Sequence, residues 1–115
     1  MIVVEKLRAI CQQFPGYPHR GRPSARARDF YDIHAVVTIR GIDLSSEENV
    51  ELIRRIFAVK QVPLAFLGRI HEHREFHRPD WYAVVASTTG TIEEFDFYFD
   101  FVLGQVRQLQ ALWVE

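Results

Sequence analysis

Ile92, Phe95, Phe99, Val102, Val106, Leu109 and Trp113 follow one another at alternating spacings of three and four. That spacing returns to one face of an α-helix roughly every turn, so residues 91–113 are predicted to form a helix of about six turns with a stripe that must be buried. Thr91-Ile92-Glu93-Glu94 has the form of a capping box at its start. Such a stripe reads as a core or a bundle seam. Phe97, Tyr98 and Phe101 lie off it. A small bundle has little left to cover them, so they are expected to face a partner chain or a further domain.

The remaining pattern is helical too. Val3, Leu7, Ile10 and Phe14 mark one face of a first helix over residues 2–14, stopped by Pro15-Gly16. Residues 15–24 hold three Pro and two Gly and read as a loop carrying His19, Arg20 and Arg22. A second helix is expected over residues 25–39, with Ser24 as N-cap and Phe30, Ile33 and Val37 inward. Ser45-Ser46-Glu47-Glu48 reads as the capping box of a third, running to residue 61. Pro63 suits the start of a fourth. Residues 80–88 fit a short helix better than a strand. The fold class is therefore all-α, a small bundle of about five helices forming one domain over residues 1–115, with no internal repeat.

Charge is unevenly distributed. The net charge is −1, but residues 1–28 carry Lys6, Arg8, Arg20, Arg22, Arg26 and Arg28 against a single acid, Glu5. The rest of the chain carries eight basic against fourteen acidic residues. A local basic patch for an anion is the expectation, with any polyanion affinity confined to residues 1–28. The one cysteine, Cys11, excludes an internal disulfide framework and suits a reducing compartment. No apolar run reaches the ~20 residues of a membrane span, and the cytoplasm is the expected location.

Several side chains can carry chemistry. Lys6 sits beside the apolar face of the first helix, where its stem can rest on the core and its ammonium reach a cleft, or where it can be a solvated Lys paired with a nearby acid. Asp29 and Asp32 share a helix face, so they can hold a divalent cation, supply a base, or pair with Arg22, Arg26 or Arg28. His73 and His77 are four apart and have the spacing of two zinc ligands. The run is not His-Glu-x-x-His and lacks an obvious third ligand, so it reads as a solvated helix face and no metal site is expected.

Glu5-Lys6-Leu7-Arg8-Ala9 followed by Arg26-Ala27-Arg28-Asp29-Phe30-Tyr31-Asp32-Ile33 resembles the C-terminal half of the AbiEii/AbiGii-type nucleotidyltransferase toxins of type IV toxin–antitoxin and phage-abortive-infection systems. The resemblance implies the helical part of a polymerase-β-like enzyme. That enzyme moves a nucleotide from a nucleoside triphosphate to an RNA acceptor, with Mg²⁺ as cofactor. It implies that Lys6 contacts the triphosphate, that Asp29 completes the catalytic site, and that Asp32, Arg22, Arg26 and Arg28 bind or orient the phosphates.

The family's metal-binding Asp-x-Asp, preceded by Gly-Ser or Gly-Gly, occurs nowhere in these residues. The expectation is a substrate-gripping portion, inactive alone, whose N-terminal nucleotidyltransferase half is absent, so neither Mg²⁺ nor a nucleoside triphosphate is expected as a cofactor of this chain by itself. The competing expectation is a non-catalytic helical module that binds an antitoxin, a complementary chain or a second copy of itself.

Overall fold

The computed structural model describes residues 1–18 and 22–114, so the expectations for His19 and Arg20 lie outside the described residues. In chain order the elements are α1 (Ile2–Cys11), α2 (Ala27–Arg40), α3 (Glu47–Val59), a 3₁₀ segment (Leu64–His73), α4 (Arg74–His77), a short 3₁₀ turn (Arg78–Asp80), α5 (Trp81–Ser87), α6 (Phe95–Arg107) and α7 (Gln110–Trp113). Five α-helices have seven residues or more, and no strand occurs among the described residues. The all-α bundle holds.

One apolar cluster draws on α1, α2, α3, the Leu64–His73 segment, α5 and α6, and Leu112 and Trp113 of α7 pack against it. Val3, Leu7 and Ile10 of α1, Phe30 and Ile33 of α2, Ile53 and Phe57 of α3, and Phe99 and Val102 of α6 are wholly buried. Helix α2 lies between α1 and α6 and shares its longest contacts with both. This central position carries its N-terminal residues to the seam with α1, where the candidate site forms. The Cys11 thiol is buried, which pushes its pKa up and leaves it a small apolar core residue.

The stripe on α6 is buried as expected at Phe95, Phe99, Val102, Val106 and Leu109. Its ends differ. The Thr91 box does not form, because the Glu93 N–H donates to the Tyr98 hydroxyl at 3.1 Å and Glu94 stays extended, so the helix starts at Phe95. It also breaks at Gln108–Leu109, and the Trp113 indole folds back to donate to the Val106 carbonyl at 2.9 Å. Trp113 lies directly over Gly68, where a Cβ would come within 2.3 Å of its ring. A side chain at position 68 would displace it.

Of the three aromatics off the stripe, only Phe97 is exposed, at 46%. Tyr98 is buried against Tyr31 and Trp81, and Phe101 is half-buried against His34. A heptad seam has one covered face, whereas α6 is covered on a second side by α2 and α5, which accounts for both.

Other boundaries shift modestly. Helix α1 ends at Cys11 in a turn, though Phe14 remains core. Helix α3 is capped one residue later than the Ser45–Glu48 box places it: Ser46 Oγ accepts from the Asn49 N–H at 3.3 Å, while the Ser45 N–H and hydroxyl donate to Asp43, and the helix stops at Val59. Pro63 does open a helical segment, but a 3₁₀ one. Residues 80–88 are helical, as α5.

Candidate functional site

Lys6 on α1 and Asp29 and Asp32 on α2 meet across the helix seam. Lys6 Nζ donates to Asp29 Oδ1 at 3.1 Å and lies 3.0 Å from Asp32 Oδ2. Arg26 Nε donates to the other Asp29 oxygen. Arg28 Nε lies 3.4 Å from the other Asp32 oxygen. Three cations thus enclose two carboxylates, leaving an excess of one positive charge. The Asp29 side chain is 6% exposed and Lys6 20%, while Arg26 and Arg28 are 37% and 48% exposed. Asp29 and Lys6 lie deepest, and the guanidinium groups face solvent.

The ion pairs set the protonation of Lys6. Burial by itself draws its pKa down, but the bonds to Asp32 and Asp29 outweigh it and hold the ammonium above its ordinary range. Arg28 is further fixed by donating to Ser87 Oγ at 3.0 Å and by resting 5.6 Å from the centre of the Tyr31 ring. Arg22 is exposed and makes no ion pair among the described residues. The structure therefore brings Lys6, Asp29, Asp32, Arg26 and Arg28 together and leaves Arg22 apart.

The residues that hold this arrangement from behind carry no local signal in the sequence. Ser24 is not the N-cap of α2; its N–H donates to Gln13 Oε1 at 2.7 Å, and the helix begins after Arg26. The free amides of its first turn are satisfied from a distant segment instead. The Arg26 N–H donates to His77 Nδ1 at 2.9 Å and the Ala27 N–H to Asp80 Oδ2 at 3.1 Å. His77 is therefore not on a solvated face. It is wholly buried beside Phe30, and His73 is half-buried against Phe14. No group of three or more His, Cys, Asp or Glu side chains is placed to hold a metal among the described residues.

Burial lowers the pKa of His77 to about 4, with His73 and Arg26 adding to the shift and Asp29 opposing it. In the unfolded chain the imidazole titrates at its ordinary value near 6.5. Between these two values the unfolded state binds more protons, so stability falls as the pH drops through 6.5 towards 4 and levels off below that. The loss should reach up to about 3 kcal/mol. His77→Asn keeps an acceptor for the Arg26 N–H and should flatten the slope in urea unfolding curves between those pH values. An unchanged slope would place the titration elsewhere.

A family model described as nucleotidyl transferase AbiEii toxin, type IV TA system, matches residues 1–101. The chain belongs to the AbiEii nucleotidyltransferase toxin family. No curated protein and no solved structure matched. The match takes in all five residues of the cluster.

Mg²⁺, implied by the resemblance for a complete AbiEii enzyme, does not fit this cluster. All four carboxylate oxygens of Asp29 and Asp32 already face a cationic nitrogen. A divalent cation would have to displace a cationic nitrogen from each oxygen it took, and would meet three positive side chains first. Of the roles open to these two acids, pairing with Lys6 and the arginines is the one the geometry shows. No helix among the described residues is long and apolar enough to cross a membrane.

Proposed function

We propose that this chain is the substrate-gripping part of an AbiEii-type nucleotidyltransferase and that its ligand is the triphosphate of a nucleoside triphosphate. The observation that carries this is the enclosure of Asp29 and Asp32 by Lys6, Arg26 and Arg28 across the α1–α2 seam. Asp29 holds Lys6 and Arg26 at a fixed separation, and Asp32 does the same for Lys6 and Arg28. Cations arranged beforehand need no reorganisation when phosphate charge develops in the transition state. The exposed edges of Arg26 and Arg28 receive the phosphates first, and Lys6 reaches them from deeper in the seam. Asp29 acts by positioning Lys6. Arg22 extends the basic surface towards an RNA acceptor.

Nucleotide transfer also requires metal-binding carboxylates, and the 115 residues contain no Asp-x-Asp to supply them. This chain by itself should not catalyse transfer; an antitoxin and the metal-binding half are its proposed partners. Incubated with labelled nucleoside triphosphates, Mg²⁺ and total tRNA, the pure chain should leave the RNA unlabelled. Strong labelling would contradict a gripping role and assign the chain a complete active site.

A further inference from the structure

We propose that α3 is the contact between two copies of this chain, packed antiparallel about a two-fold axis near residue 54. The proposal is independent of the triphosphate site. Ile53 and Phe57 turn the core face of α3 inward and are wholly buried. Leu52, Ile56 and Val59 form a second apolar stripe beside it, at spacings of four and three. Leu52 and Ile56 are half-buried, and Val59 is 73% exposed. The helix is thus apolar over a wider arc than its own core uses.

Charge identifies what covers that arc. Flanking this arc, the first half of α3 carries Glu48 and Glu51 and the second half and C-cap carry Arg55 and Lys60, while Glu47 and Arg54 lie on the far face. None of the six makes an ion pair among the described residues, although ten such pairs form elsewhere. A partner helix of one charge sign would match one half of α3 and oppose the other. A second copy running antiparallel matches both halves at once. Leu52 then opposes Ile56 of the other copy, and Glu51 lies beside the other copy's Arg55 on the same flank of the stripe. Each contact occurs twice, as a two-fold interface requires.

Sedimentation equilibrium of the full chain tests this directly. The wild type should show a monomer–dimer equilibrium. Arg55→Glu should weaken it about tenfold or more, because two attractions become two repulsions. The double exchange Glu51→Arg with Arg55→Glu should restore it, and Val59→Ser should weaken it while leaving the melting temperature unchanged. A wild type that stays monomeric to about 1 mM, the weak end of specific association, would overturn the proposal. So would a double exchange that fails to restore pairing in a chain that melts normally.

Discussion

Phe99→Ala should cost about 3–5 kcal/mol of stability. The ring is wholly buried, stacked on Phe30 with centroids 4.9 Å apart, 5.5 Å from Phe95, and covered by the Arg74 guanidinium at 4.4 Å. Removing it opens a cavity where α2, α6 and the 74–78 segment meet, and Arg74, tied to Asp96 and Asp100, cannot collapse into it. A domain of this size has only about 5–15 kcal/mol to lose. The melting temperature should fall by roughly 10 °C or more. Phe97→Ser is the control: two residues away but 46% exposed, it should cost only about 1 kcal/mol, for the part of the ring packed on His34 and Tyr98. Equal losses from the two variants would mean that α6 is rotated from the orientation described.

Asp29→Asn should be the second large effect, about 2–3 kcal/mol. It removes the carboxylate that both Lys6 and Arg26 rely on, at a side chain 6% exposed. Part of the cost is recovered because Lys6 keeps Asp32 and Arg26 reaches water. Asp32→Asn should cost less, about 1 kcal/mol, since Asp32 is 25% exposed and its partner Arg28 is 48% exposed. Thermal unfolding of the two variants decides the order. A greater loss from Asp32→Asn would show that Asp32, not Asp29, is the structural anchor of the cluster.

The parts of this fold that announce themselves in the sequence are those set by neighbours within one or two turns. The stripe of α6 and the start of α3 near Ser45-Ser46 are of this kind, although the cap falls on Ser46 rather than Ser45. The family resemblance put Lys6 and Asp29 in one site, but not as an ion pair, and nothing in the spacing of 23 residues predicts their contact. What escaped was long-range. His77 and Asp80 cap α2 from 51 and 53 residues away, and a local capping pattern pointing to Ser24 cannot register them. Position 91 fails for a related reason. Its box is well formed as a string of residues, but the Tyr98 hydroxyl takes the Glu93 amide. Tyr98 itself was placed outside because the heptad reading allowed α6 one covered side. The histidine run reads as polar by composition, yet the fold uses one of its imidazoles as a buried acceptor.

The Lys6–Asp29–Asp32 cluster and its arginines are proposed to receive a triphosphate. The most direct measurement is an NMR titration of the labelled chain with ATP, repeated on Lys6→Met and on Arg54→Glu with Arg55→Glu. Amide shifts should concentrate at Lys6 and residues 26–32. Binding should weaken with added salt as displaced counterions lose their entropic advantage. Lys6→Met should reduce affinity about tenfold or more, as expected for loss of a charge-assisted bond. The α3 variant should bind like the wild type. Shifts centred on Arg54 and Arg55, with affinity unchanged in Lys6→Met, would contradict the account.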